Sequence, residues 1–254
     1  MNCSFFYTTE TDKSHAEILA SSIGLDALPS RNDFPGAFLE LGSSGLSFFH
    51  PDARASNKFH IDFTSGSSGW RLKRADHEKL IKKALGKSDK PLNILDCTAG
   101  LLQDTLLFLS LGHQVTAVEQ SKLLYLLLQD ALSRSGDSYA NLLDNLTLTQ
   151  GNACTFTAEA SNFDVIYFDP MYPAPKKTAL GSGQMDYLAK ILETEMLQND
   201  PQKDFEVLQL MPVKKMIVKR PIKAEAFATG INYQVSGKTT RFDIYISLFL
   251  AVIF

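Results

Sequence analysis

Apolar residues along this chain fall into two textures that meet near residue 90. Beyond that point, short apolar runs alternate with stretches of helical spacing. Leu92-Asn-Ile-Leu-Asp96 reads as a strand, a turn of small residues follows, and Asp104 to Leu111 has a helical pattern that Gly112 ends. Val115-Thr-Ala-Val-Glu119 is the next strand, and a helix from about 121 to 134 follows it. Strands at 146–149, 164–168 and 215–219 alternate with helices near 184–197 and 203–210. Tyr233-Gln-Val and Arg241–Leu250 close the series as an antiparallel pair. This alternation predicts an α/β fold with a doubly wound, mostly parallel, seven-stranded sheet.

Residues 1 to about 63 differ. Phe38-Leu-Glu-Leu41 and Leu46-Ser-Phe-Phe49 stand among Gly, Ser and Pro, which predicts a few short strands and one helix near 12–22. The chain thus divides into a small N-terminal subdomain, 1–63, and a main domain, 64–254, with Thr64-Ser-Gly-Ser-Ser-Gly69 as a hinge. Near the start of the main domain, 71–90 carries eight Lys/Arg against three Asp/Glu. Its apolar Leu72, Leu80, Ile81, Ala84 and Leu85 have a rough helical spacing that Gly86 stops. The loop 173–183, rich in Pro, Lys and Gly, takes no element, and long loops in compact domains are often functional.

With 254 residues, 44% hydrophobic and 21% charged, the chain has enough apolar surface for a substantial core. A net charge of −3 confines any nucleic-acid site to a local basic surface. Cys3, Cys97 and Cys154 form neither a metal pattern nor a disulfide framework, and His15, His50, His60, His77 and His113 are scattered, so no metal is expected. The first residues lack a basic stretch followed by an apolar one, and the apolar run 244–254 is too short for a bilayer span and reads as a buried strand. These features predict a cytoplasmic protein with no membrane partner.

Two segments carry chemistry. Asp164-Val-Ile-Tyr-Phe-Asp169-Pro170-Met-Tyr172-Pro173 is a buried strand ending on an acid, a proline and an aromatic. An acid accepts hydrogen bonds from an exocyclic NH2, prolines stiffen the turn, and the ring offers a stacking surface, which suits a nucleobase. Read alone, the segment fits a plain strand and proline-rich turn equally well. The second segment, Asp96-Cys-Thr-Ala99-Gly100-Leu-Leu-Gln103-Asp104, lies between the first main-domain strand and its helix, where open α/β sheets bind ligands. Ala99 and Gly100 leave room for a ligand against the backbone. A dinucleotide site needs three glycines to seat a pyrophosphate, whereas this loop has one glycine between two acids, suited to a cofactor bearing an ammonium and a sulfonium. Glu119, nineteen residues past Gly100, stands where an acid bonds both ribose hydroxyls, or it is a solvated strand end. Asn152 and Ala153, after the third strand, are placed to contact an adenine ring.

Asp96 to Asp104, Val165-Ile-Tyr-Phe-Asp-Pro-Met-Tyr-Pro173, Val218-Lys-Arg-Pro221 and Arg241-Phe-Asp-Ile-Tyr245 occur in an order that resembles the RsmJ family. That family comprises S-adenosylmethionine-dependent, Rossmann-like methyltransferases acting on guanine N2 in bacterial 16S ribosomal RNA. The resemblance runs from about Ile61 to Tyr245. It implies S-adenosyl-L-methionine as cofactor, the small ribosomal subunit as the setting of the substrate, and cofactor contacts at Gln103, Asp104, Glu119, Gln120, Asn152, Ala153 and Asp169. Three positions depart from the family pattern: Leu102 replaces a glycine, Gln103 an arginine, and Gln120 another arginine. These departures bear on contacts to the methionine portion of the cofactor.

Asp169, Pro170 and Tyr172 are therefore the candidate catalytic residues. Three basic groups are candidates for RNA phosphates: Arg71, Lys73 and Arg74; Lys176 and Lys177; and Lys219 and Arg220 within Lys214–Lys223, with Arg241 near them in the pattern. Surface solubility is the competing reading of these cations. Methyl transfer to adenine N6 or another planar amine uses the same turn. A nucleotide-dependent oxidoreductase shares the fold, and a non-catalytic RNA-binding module explains the cations but leaves the Asp169 turn without purpose.

Overall fold

The computed structural model describes residues 2–31, 33–53, 58–64, 78–136, 139–171 and 183–247. They fall into two compact units. One draws on residues 1–66, 121–138 and 173–199, the other on 67–120, 139–172 and 200–254. Segments 121–138 and 173–199 thus belong to the same unit as the N-terminal residues.

The first unit holds β1 (Ser4–Tyr7), α1 (Lys13–Ser22), β2 (Ala27–Pro29), β3 (Phe38–Gly42), β4 (Gly45–Phe49) and β5 (Phe59–His60). The strands form one sheet in the order β2-β1-β3-β4-β5. The helix Lys122–Arg134 also belongs to this unit. Asp130 near its end accepts from Leu46 N at 2.9 Å and from Arg134 Nε at 2.8 Å, and Arg134 donates to Ile61 O at 2.8 Å. Ser121 caps its start by accepting from Leu124 N at 3.0 Å.

The second unit is built on β6 (Asn93–Asp96), β7 (Gln114–Glu119), β8 (Leu146–Gln150), β9 (Val165–Phe168), β10 (Lys215–Pro221), β11 (Tyr233–Ser236) and β12 (Thr240–Ile246). Their order is β11-β12-β10-β9-β6-β7-β8. The five strands β10-β9-β6-β7-β8 are parallel, while β12 pairs antiparallel with both β10 and β11. This is the seven-stranded, mostly parallel sheet that the alternation predicts. The chain order reverses between β6 and β9, so the strand ends there open a crevice where ligands bind in such sheets.

Side-chain parity divides the sheet's two faces. Leu95, Val118, Ile166, Phe168, Met216 and Val218 pack on one face with Phe205 and Leu208 of the helix Pro201–Leu208. The opposite parity belongs to Asp96, Tyr167 and Ile217, which the register sets in one row, with Lys219 two residues past Ile217. Phe108, on the helix Gln103–Ser110, meets Tyr167 edge-on at 4.9 Å on that side. One face is thus an apolar core, and the other carries ionisable groups at the crevice end.

The helix expected near 71–90 spans Lys79–Leu85 among the described residues, with Gly86 ending it at φ +80°. Arg71, Lys73 and Arg74 lie outside the described residues, as do Tyr172, Lys176 and Lys177 and the end of the C-terminal apolar run. That run is a strand as far as Ile246. Among the described residues no helix is long and apolar enough to cross a membrane.

Candidate active site

The loop after β6 is organised by its own side chains. Asp96 is buried and accepts from Thr98 N at 3.1 Å and Thr105 Oγ1 at 2.6 Å. Burial pushes its pKa up to about 7 against those two bonds, with further upward pressure from Asp104 and Asp169. Ala99 N donates to Val118 O at 3.0 Å, which ties the loop to β7. Gly100 then turns at φ +52°, a left-handed conformation open to glycine, and its N–H meets Glu119 Oε2 at 3.0 Å. Glu119, read from the sequence as a ribose acid or a solvated strand end, is thus buried and bonded to the loop.

Leu102 occupies the position where the family pattern has glycine, and its φ of +56° shows why glycine suits that place. A left-handed non-glycine residue costs about 1–2 kcal/mol. Here the side chain is fully buried, which contributes about 1.5–3 kcal/mol and offsets that strain. Gln103 follows on the exposed side of the helix start, with Asp104 turned inward.

Asp169 leaves β9 beside this loop, and its backbone N–H donates to Thr98 Oγ1 at 2.8 Å. Pro170 behind it is buried. Tyr167 Oη donates to Asp104 Oδ2 at 2.6 Å. Burial first, then the charges of Asp104 and Asp169, keep that phenol well above its ordinary pKa, so it stays a neutral donor. Lys219 completes the group, 2.6 Å from Asp104 Oδ2 and 2.8 Å from Asp169 Oδ2. On the other side of Glu119, Gln120 is exposed and its carbonyl accepts from Gln150 at 3.1 Å. Asn152 is exposed and accepts from Cys154 N at 2.8 Å, while Ala153 is buried.

Asp96, Ala99, Gly100, Asp104, Glu119 and Asp169 therefore meet at one edge of the sheet, with Thr98, Tyr167 and Lys219 holding them. Thr98 and Tyr167 escaped the sequence reading. Tyr167 left a signal, because a hydroxyl inside a buried strand, two residues before an acid, needs a polar partner. The donor set fits S-adenosylmethionine. Asp104, Asp169 and Glu119 outnumber the Lys219 ammonium beside them, an arrangement that attracts cationic groups and repels a diphosphate.

The cations read as phosphate contacts are placed differently. Arg220 is buried, its guanidinium lies 3.9 Å from the Phe227 ring centroid, and it donates to Glu225 O. Arg241 is buried too, bonded to Asp243 Oδ1 at 2.8 Å and Ile222 O at 2.9 Å. Both guanidinium groups are buried against a local carboxylate, carbonyl or ring. The run Lys214–Lys223 also splits. Lys214 pairs with Asp164 at 3.7 Å and Lys215 bonds Leu85 O at 2.7 Å at the start of β10, while Lys219 and the exposed Lys223 lie towards its other end.

A family described as "Putative SAM-dependent methyltransferase" matches residues 24–247. The chain is 32% identical over 250 residues to ribosomal RNA small subunit methyltransferase J of Thioalkalivibrio sulfidiphilus, covering 95% of this chain and 96% of that one. It is 33% identical over 243 residues to the protein of the same name from Nitrosococcus oceani, covering 91% and 93%. The crystal structure of a SAM-dependent methyltransferase from Neisseria gonorrhoeae matches with a TM-score of 0.71 at 25% identity, covering 96% of each chain. Extending across almost the whole length of both partners, these matches establish that the chain belongs to the RsmJ family of S-adenosylmethionine-dependent methyltransferases.

Proposed function

We propose that this methyltransferase modifies the exocyclic N2 amine of a guanine in 16S ribosomal RNA, within the small ribosomal subunit and in the cytoplasm. The observation that carries the reading is Asp169. It is a carboxylate at the crevice end of β9, its backbone is tied to the cofactor-type loop through Thr98, and a proline follows it. The names of the relatives, ribosomal RNA small subunit methyltransferases, support the substrate class.

Asp96, Ala99, Gly100, Gln103, Asp104, Glu119, Gln120, Asn152 and Ala153 would hold the cofactor. Glu119 would take the ribose hydroxyls, and the acids near the loop would face the cationic end. When bound, S-adenosylmethionine supplies a methyl group on a sulfonium that departs as a neutral thioether. The guanine amine is a weak nucleophile because its lone pair is delocalised into the ring. Asp169 and the Pro170 carbonyl would accept hydrogen bonds from that NH2, drawing the lone pair out of conjugation, and the proton that the amine sheds on methylation would pass by way of Asp169 to solvent. Tyr172 stacks on the base, which must leave its own stack to reach the site.

The deciding experiment measures methyl transfer from labelled cofactor to small subunits from a strain lacking its own enzyme of this type, followed by analysis of the methylated nucleoside. N2-methylguanosine is expected from the wild type. Asp169→Ala should abolish transfer in a folded protein, and Asp169→Asn should lose less, because its carbonyl still accepts one bond. Tyr172→Phe should act nearly as wild type and Tyr172→Ala should not. Cofactor affinity is measured alongside to separate binding from rate. Near wild-type transfer by Asp169→Ala would falsify the assignment of the acceptor, and N6-methyladenosine as the product would replace guanine.

A further inference from the structure

Sheet register brings Lys219 level with Asp169. β10 runs parallel to β9 with Val218 opposite Phe168, so the next residue on each, Lys219 and Asp169, stands at the same height. Lys219 shares its face with Ile217, the partner of Tyr167. Its ammonium thus arrives between Asp169 and the Asp104 oxygen that Tyr167 also bonds.

We propose that Lys219 is a positioning residue for methyl transfer: its ammonium yokes Asp104 to Asp169, fixing the orientation of Asp169 and keeping both carboxylates ionised. This inference rests on the reading of Asp169 as acceptor of the amine. Two neighbouring carboxylates repel, and without a shared cation one of them takes up a proton. A protonated acid then presents an O–H and loses acceptor capacity towards an NH2.

Among the described residues, acidic and neutral groups face the ammonium. Asp104 faces it from the helix Gln103–Ser110, Asp169 and Tyr167 belong to β9, and Asp96 ends β6 beside them. Burial works against the Lys219 charge, but Asp104 and Asp169 together outweigh it and hold the amine above its ordinary pKa. A phosphate role fits this setting less well. The ammonium is already committed to two carboxylates on a side chain only 26% exposed.

The test compares Lys219→Met and Lys219→Arg in the intact protein. Transfer rate to small subunits is measured across pH, and affinities for S-adenosylmethionine and S-adenosylhomocysteine are measured by calorimetry. Lys219→Met should lose roughly tenfold or more in rate, and the acid limb of its pH profile should move up by about 1–2 units. Lys219→Arg keeps the charge, so its acid limb should stay with the wild type. At alkaline pH, where both carboxylates are ionised even without the cation, its loss should also favour the sulfonium compound over the neutral thioether several-fold more than in the wild type. An unmoved acid limb in Lys219→Met overturns the proposal, and a flattened salt dependence of RNA affinity beside it would make Lys219 a phosphate contact. If the rate is too low to profile, the ratio of the two affinities decides, and an unchanged ratio overturns it. Should Lys219→Met not fold, Lys219→Gln, which keeps a donor without charge, is read in the same two ways. An active Asp169→Ala would sink the acceptor reading itself, whereas an inactive one with an unmoved Lys219→Met limb sinks only the role of Lys219.

Discussion

Glu119→Ala tests whether the end of β7 serves both the loop and the cofactor. Glu119 is 7% exposed, and its Oε2 accepts from Gly100 N at 3.0 Å. Truncation removes a hydrogen bond to a charged acceptor, a class that contributes about 1.5–3 kcal/mol. Removing one carboxylate from a site that also holds Asp96, Asp104 and Asp169 relieves some repulsion, so the expected net loss of folding stability is about 1–2 kcal/mol. It should appear as a lower urea midpoint with an unchanged slope. Cofactor binding should lose about 1–3 kcal/mol, or roughly 5- to 150-fold in the Kd for S-adenosylhomocysteine by calorimetry. Glu119→Gln separates the two effects. Its amide carbonyl can still accept from Gly100, so stability should recover, while affinity stays low because the bonds to the ribose are no longer charge-assisted. Unchanged midpoint and unchanged Kd in Glu119→Ala would refute both parts, and a lower midpoint with unchanged Kd would make Glu119 a loop latch only.

Asp96 links stability to pH. Its folded pKa is pushed up to about 7 from 3.8, so the folded protein retains a proton that the unfolded chain loses between those values. Its contribution is therefore full below about pH 4 and declines as pH rises through 7, by at most on the order of 4 kcal/mol. Asp96→Asn should flatten that decline in urea midpoints taken from pH 4 to 8, and identical pH dependence in the two proteins would sink the argument. At the end of β10, Lys223→Ala should lower the slope of log RNA affinity against log salt by about 1. Arg220→Ala should leave that slope alone and reduce stability, since its guanidinium lies buried against Phe227. A slope unchanged by Lys223→Ala would move the RNA surface elsewhere.

Much of this protein is written in local pattern. Strand and helix periodicities marked out the elements of the seven-stranded sheet, and β8 and β10 begin where apolar spacing places them. Because parallel strands end on one edge, the acids closing β6 and β7 and following β9 gather there. Charge partnership is not local. Lys214, Lys215, Lys219 and Arg220 read as one basic run, yet register and parity send them to different ends and faces, so Lys219 meets two carboxylates and Arg220 meets a ring. Nor does sequence reveal that Leu102 holds a left-handed turn, since burial of its side chain depends on neighbours far along the chain. The helix Lys122–Arg134 is plain from its spacing, but its place with the N-terminal sheet depends on Asp130 reaching Leu46, 84 residues away. Periodicity determines which residues point the same way, and only packing decides which of them come within hydrogen-bonding distance.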